Sequence, residues 1–137
     1  MRISPDERMI MGAALYVALE REIPDFDPFL NGKALSQASD QLDTLAASLG
    51  VRPLMEFFSA DPDMAAEFLA EGTAAPPQSW FPASDGLATI RALHANLTDN
   101  PSAVPKHDMV LEDLTDMKRI LTTAYEHGVG WCLQVDF

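Results

Sequence analysis

Apolar residues run almost without interruption at the two ends of the chain and recur at helical spacing between them. One run covers Gly12–Leu19 and the other covers Val129–Phe137. Short continuous apolar runs are typical of strands that are covered on both faces. Because the sequence has no third run of this kind, we expect the two strands to pair with each other, in the commoner antiparallel orientation. Both ends of the chain would then lie in the core.

Between these runs the spacing of apolar residues predicts helices. Apolar residues recur every three or four positions over Gly32–Leu49, Pro82–Asp99 and Pro105–His127, so each stretch has one apolar face. Asn31 is placed to cap the first of these helices, and Gly50 is placed to end it. Shorter helical segments are predicted at Pro53–Phe58 and from Asp61 to Glu71.

Proline residues and short irregular stretches predict the loops. Pro24 and Pro28 interrupt the segment after the first strand, and we expect its aromatic residues, Phe26 and Phe29, to pack on the core. Residues 73–79 contain two prolines and predict a surface loop that is too short to separate two domains.

The chain is predicted to form one α+β domain over residues 12–137. Its 137 residues are enough to bury a sizeable core. Three long amphipathic helices surround a small sheet formed by the N- and C-terminal strands, and residues 1–11 form an extension that we expect to be poorly ordered. A two-stranded sheet is only marginally stable by itself, so a homodimer that pairs its sheet edges is a structural alternative.

The charge of the chain narrows the classes of partner. The sequence has 21 acidic and 9 basic residues, a net charge of −12. Such a surface repels nucleic-acid phosphates and anionic membranes, and it favours basic partners. No apolar stretch approaches the length that spans a bilayer, and the polar N-terminus is unlike a secretory leader. We therefore expect a cytoplasmic protein, in which the single cysteine, Cys132, is a buried structural thiol.

The sequence lacks the motifs of the common enzyme classes. Its seven glycines are scattered singly, so it has no glycine-rich phosphate loop. It also has no His-Glu-x-x-His zinc motif and no Gly-x-Ser-x-Gly nucleophile motif. We therefore predict no catalytic residue, no cofactor and no metal site.

Histidines and carboxylates are interpreted as structural or solvent-exposed groups. His107 and His127 lie at opposite ends of the last predicted helix, about 30 Å apart, which is too far to share a metal ion. Asp63, Glu67 and Glu71 recur every four residues and share one helix face. Such a face is typical of contact with solvent, and binding of a divalent cation or a basic partner is the alternative.

The segment around Trp80 is the strongest candidate binding site. Trp80 and Phe81 precede a predicted helix start, where a large apolar residue commonly packs back on the first turn. Tryptophan is also enriched at binding hot spots. The functional interpretation is a pocket lined by Trp80, Phe81, Asp85 and His94, and both interpretations stay open.

Six short segments spread over residues 12–137 carry a resemblance. They are Ala14–Glu20, Asn31–Leu35, Pro53–Ser59, Trp80–Phe81, Gly86–Leu93 and Leu133–Phe137. Together they resemble a group of small acidic bacterial hypothetical proteins. The resemblance implies a bacterial origin and a single compact domain. It implies no activity, so it transfers no catalytic residues.

Three functional hypotheses follow. The first is a small protein-binding module whose acidic surface binds a basic protein, a class that includes inhibitor and immunity proteins. The second is a small enzyme or ligand-binding protein with a pocket near Trp80. The third is a structural homodimer.

Overall fold

A computed structural model describes residues 13–59 and 79–136. Within these residues the chain forms two strands, four α-helices and one 3₁₀ turn. In chain order they are β1 (Ala14–Leu19), α1 (Lys33–Gln37), α2 (Ser39–Leu49), the 3₁₀ turn (Leu54–Phe57), α3 (Ala83–Asp99), α4 (His107–Glu126) and β2 (Trp131–Asp136). Among the described residues the three longer helices are α2, α3 and α4, so the predicted α+β architecture is confirmed. Three of the predictions lie outside the described residues. They are the helix from Asp61 to Glu71, the N-terminal extension, and the loop over residues 73–79 apart from Ser79.

β1 and β2 pair antiparallel, as predicted. The register runs from Ala14 opposite Asp136 to Leu19 opposite Trp131. Residues that lie opposite each other share a face of the sheet. Tyr16 and Gln134 are such a pair, and the Tyr16 hydroxyl donates a hydrogen bond to the Gln134 side chain 2.5 Å away. The expectation that both strands are covered on both faces holds for Trp131–Gln134, which is buried throughout. It holds only in part for β1, where Leu15 and Val17 are buried and the other four residues are half-buried.

The second edge of β2 is paired over part of its length. Phe81 and Trp131 exchange two backbone hydrogen bonds of 2.8 and 3.0 Å, and the Ser59 amide donates to the Leu133 carbonyl at 3.0 Å. On the outer edge of β1, the Leu15 amide donates to the Gly32 carbonyl at 3.1 Å. These contacts occupy part of both edges, and the homodimer through the sheet edge stays a prediction.

The predicted helix Gly32–Leu49 is divided in two at Ala38. Ala38 leaves the helical region, with φ −98° and ψ 6°. Ser36 and Ser39, on the two sides of the break, are weaker helix formers than alanine or leucine. The change of direction leaves Leu35, Ala38 and Leu42 all fully buried. Burial of these side chains in the core outweighs the regular helix that their spacing predicts.

Two local predictions in this region need correction. The cap position of α1 is Gly32, with φ 71°, and not Asn31. The Asn31 side chain still accepts a hydrogen bond from the Lys33 amide at 3.2 Å. Phe26 packs on the core as expected, whereas Phe29 is 66% exposed. Its exposure places an aromatic side chain on the surface.

Gly32→Ala is expected to destabilise the protein much more than Gly50→Ala. Both glycines have a left-handed φ, 71° and 75°, so either substitution introduces strain of about 1–2 kcal/mol. A Cβ at position 32 would lie 1.7 Å from the Leu15 carbonyl oxygen, whereas one at position 50 would meet nothing within 4 Å. We expect a further loss of about 3 kcal/mol or more for Gly32→Ala, measured by urea denaturation. Equal losses would contradict the close packing of α1 against β1.

Candidate functional site

Trp80 and Phe81, two of the residues predicted to line a pocket, lie beside the start of β2. Trp80 is half-buried, and a Cβ at Gly130 would lie 3.3 Å from its own Cβ. Phe81 is held through its backbone to Trp131. The structure therefore brings these two aromatic residues together against the C-terminal strand.

Phe81 belongs to a cluster that stabilises the fold. Its ring meets the Phe57 ring edge-on at 5.4 Å, and Phe57 lies 4.8 Å from Trp131. The Arg52 guanidinium lies over both phenylalanines, 4.9 Å from the Phe57 centroid and 5.0 Å from the Phe81 centroid. An arginine over an aromatic face stabilises by about 0.5–2 kcal/mol. Packing of this kind is the structural alternative that the sequence left open for Phe81.

The close approach of Trp131 accounts for the glycine near the start of α3, Gly86. A Cβ at Gly86 would lie 2.3 Å from Trp131 Cζ2 and 2.9 Å from Leu121. The missing side chain lets α3 approach the indole ring. The indole N–H in turn donates to the Pro82 carbonyl at 3.2 Å, which fixes the start of α3 relative to β2.

Asp85 and His94 do not lie on one side of α3. They are nine residues apart in the helix, so they are separated by about 13 Å along the axis and by about half a turn around it. Asp85 is exposed, and a ring nitrogen of His94 lies 3.2 Å from the Thr115 hydroxyl of α4. The structure does not bring them to the same face, and the four-residue pocket stays a prediction.

The other candidate groups have structural environments. Cys132 is buried, which confirms that prediction, and the His127 Nδ1 lies 3.0 Å from the Thr123 carbonyl. The acidic face formed by Asp63, Glu67 and Glu71 lies outside the described residues. In residues 13–59 and 79–136, no three His, Cys, Asp or Glu side chains are arranged to hold a metal ion. None of the helices in those ranges combines the length and apolar character needed to cross a bilayer.

A groove of about 440 Å³ lies between α1, the first half of α4 and the loop before α1. We call it the α1–α4 groove. It adjoins a second cleft of about 560 Å³, with which it shares Phe29, Asn31 and Lys33. Its lining residues are Phe29, Asn31, Lys33, Ala34, Gln37, Lys106, Met109, Glu112, Asp113 and Asp116.

Two large apolar side chains are exposed in the α1–α4 groove. Phe29 is 66% exposed and Met109 is 58% exposed. The backbone that presents Phe29 is held in place, because its amide donates to the Asp27 carboxylate at 3.1 Å and its carbonyl accepts from Arg119 at 3.3 Å. Exposed apolar groups that cluster in a concave surface are typical of an interaction site.

Asp113 is the buried carboxylate beside the α1–α4 groove. It is only 4% exposed, and its Oδ2 accepts a hydrogen bond from the Leu35 amide at 3.4 Å. Burial raises the pKa of Asp113, and backbone hydrogen bonds from Gly32 and Leu35 counteract part of that rise. Because the cap residue Gly32 has no side chain, this carboxylate from α4 acts as the cap of α1.

Three carboxylates in the first half of α4 form a line, and two of them, Glu112 and Asp116, line the groove. Asp108, Glu112 and Asp116 recur every four residues and share one helix face. Asp116 lies 3.9 Å from the Arg119 side chain. Met109 and these negative charges thus lie side by side along the first half of α4, opposite the loop that carries Phe29.

Part of this groove could have been recognised from the sequence. Asp113 occupies a position in the apolar stripe that includes Val110 and Leu114, so a buried role could have been inferred from its spacing. Met109 lies outside that stripe, on a face that is otherwise polar. Phe29 offers no such signal, because its exposure depends on how the loop meets α4.

Comparison with known proteins gives no match: no protein-family model, curated protein or solved structure is similar to this chain. The resemblance to small bacterial hypothetical proteins therefore stays a prediction. The candidate site depends on its own geometry.

Asp113→Asn is expected to change how stability depends on pH. A raised pKa means that the folded state binds the proton more tightly than the unfolded state does. The contribution of Asp113 to stability therefore falls as the pH rises through the interval between the ordinary value of 3.8 and the raised pKa. Relative to the variant, the wild-type protein should gain stability as the pH is lowered through that interval. Urea denaturation at several pH values measures this difference.

Glu126→Gln is the matched control for that experiment. Glu126 is exposed at the end of α4, so this variant reports the effect of removing one surface charge. If Asp113→Asn and Glu126→Gln gave the same pH profile, the buried carboxylate would have no special role.

Proposed function

We propose that this protein is a binding module that docks a basic partner protein in the α1–α4 groove. The observation that carries the proposal is the juxtaposition of exposed Phe29 and Met109 with Glu112 and Asp116. An apolar side chain of the partner would pack between Phe29 and Met109. Lysine or arginine residues beside it would face the two carboxylates.

The unneutralised charge of the chain supports a basic partner. Six of the 21 acidic residues fall outside the described residues, which leaves 15. Within the described ranges, the ion pairs to carboxylates are His107 with Asp108 and Arg119 with Asp116. Most of these carboxylates are therefore not balanced by a neighbouring cation there, and they contribute to an attractive field for a positive partner.

Three arginines of the described residues contact groups other than carboxylates, and one of them, Arg119, also lies 3.9 Å from Asp116. Arg21 donates to the His127 carbonyl at 2.6 Å. Arg52 lies over the rings of Phe57 and Phe81. Arg119 donates to carbonyls of the loop before α1 and lies 5.3 Å from the Phe26 centroid. In the described residues Arg21 and Arg52 form no ion pair with a carboxylate, whereas Arg119 divides its contacts between the loop and Asp116.

Two lysines also line the α1–α4 groove, Lys33 and Lys106. Residues of both positive and negative charge therefore line the groove. The preference for a basic partner therefore depends on the net charge of −12 and, locally, on Glu112 and Asp116. Phe29 and Met109 would supply most of the contact energy, because desolvated aromatic and methionine side chains dominate many interfaces.

The double variant Phe29→Ser/Met109→Ser is expected to lose binding without loss of folding. Both side chains are exposed, so their removal leaves the core intact. Affinity for a partner isolated on the immobilised wild-type protein should fall about tenfold or more. A synthetic lysine–leucine peptide should also bind the double variant more weakly than it binds the wild-type protein, as measured by fluorescence anisotropy. Tyr125→Ser is the control, because Tyr125 is 62% exposed on α4 but does not line the groove.

The salt dependence of binding tests the electrostatic part of the proposal. Glu112→Lys/Asp116→Lys should weaken binding at low ionic strength and reduce the effect of raising salt from about 50 to about 200 mM. Isothermal titration with the isolated partner measures both effects. Binding that is insensitive to salt, or equal in the groove variant and the Tyr125→Ser control, would count against the proposal.

A further inference from the structure

The ring of His107 connects the end of α3 to the start of α4. Its Nε2 lies 2.5 Å from the Leu97 carbonyl oxygen, in the last turn of α3. Its Nδ1 lies 3.2 Å from the Asp108 carboxylate. The ring is half-buried, whereas Asp108 is fully exposed.

Both ring nitrogens face oxygen atoms that accept hydrogen bonds. A backbone carbonyl has no proton to donate, and an ionised carboxylate is also an acceptor only. A neutral imidazole carries one N–H, so one of its nitrogens would present a lone pair to an oxygen lone pair. The imidazolium donates at both nitrogens and satisfies both partners.

We propose that protonation of His107 stabilises the junction between α3 and α4, which makes this junction a pH-sensitive element of the fold. The proposal goes beyond the function proposed above and does not depend on what the α1–α4 groove binds. The junction does adjoin that groove, because Lys106 and Met109 lie on either side of His107 in the chain and line it.

The charges around the ring support this assignment. The Leu97 carbonyl belongs to the C-terminal turn of α3, where the helix dipole favours a positive charge. Asp108, from α4, is the charged side chain in contact with the ring. Asp99 ends α3 and Lys106 precedes the ring, so charges of both signs flank the junction. The Leu97 carbonyl raises the pKa of His107 above its ordinary value of 6.5, desolvation opposes that rise, and Asp108 adds to it.

The direction of the pH effect follows from that shift. When the folded-state pKa of a histidine is raised, its contribution to stability is complete below the unfolded-state pKa. The contribution is lost as the pH rises through the folded-state pKa. The junction should therefore be tighter in mildly acidic solution and weaker above neutral pH.

Two measurements on the full chain test the proposal. Nitrogen-15 NMR of the imidazole rings follows each histidine separately, and His107 should titrate above 6.5 with both nitrogens protonated in the acidic limb. The urea midpoint of the wild-type protein should fall between about pH 6 and about pH 8 by more than that of His107→Gln. Glutamine can still donate to the Leu97 carbonyl but does not titrate. His94→Gln is the control variant. Its urea midpoint should fall between these two pH values by as much as that of the wild-type protein.

A second variant keeps the proposal testable if His107→Gln does not fold. Asp108→Asn retains the ring and its bond to Leu97 but removes the charged acceptor, so the pKa of His107 should drop below the wild-type value. A wild-type His107 that titrates at or below 6.5 would overturn the proposal. So would an equal fall of the urea midpoint in the wild-type protein and His107→Gln, or an unchanged pKa in Asp108→Asn.

Discussion

Trp131 is fully buried where β1, the 3₁₀ turn and the start of α3 meet, and the rest of the structure depends on this junction. Its backbone pairs with Leu19 on one side and with Phe81 on the other. Its indole N–H is satisfied by the Pro82 carbonyl, and an unpaired donor at this depth would cost about 1–3 kcal/mol. A single residue therefore holds the C-terminal strand, the N-terminal strand and α3 in one arrangement.

The shape of the α1–α4 groove depends on that arrangement. α1 is held to β1 by the close approach of Gly32 to Leu15 and to α4 by the Asp113 carboxylate. The loop that carries Phe29 is held by Arg119, whose guanidinium donates to two of its carbonyls. The exposed aromatic ring is therefore presented on a backbone fixed at both sides, and this would lower the entropy lost on binding of the proposed partner.

Much of the fold could be predicted because its signals are periodic and local. The two terminal apolar runs predicted the strand pair, and the apolar stripes predicted α3 and α4. The break at Ala38 could not be predicted, because Leu35 and Leu42 keep the helical period across it and only the core decides the change of direction. The groove was missed for a related reason. The exposure of Phe29 is a tertiary property, whereas Asp113 did leave a signal as a carboxylate in an apolar stripe.

The way in which the fold uses its cations connects stability to the proposed binding. Arg21, Arg52 and Arg119 contact carbonyls and aromatic rings. These contacts are made to uncharged groups, so they do not require an ionised surface carboxylate. In the part of the chain that the structure describes, every buried side-chain nitrogen or oxygen has a hydrogen-bond partner, so stability rests on the apolar core and on satisfied polar groups. The half-buried Asp43 and the buried Asp113 both accept hydrogen bonds from backbone amides. A partner that neutralises exposed residues such as Glu112 relieves repulsion within the acidic surface without breaking a contact that holds the fold.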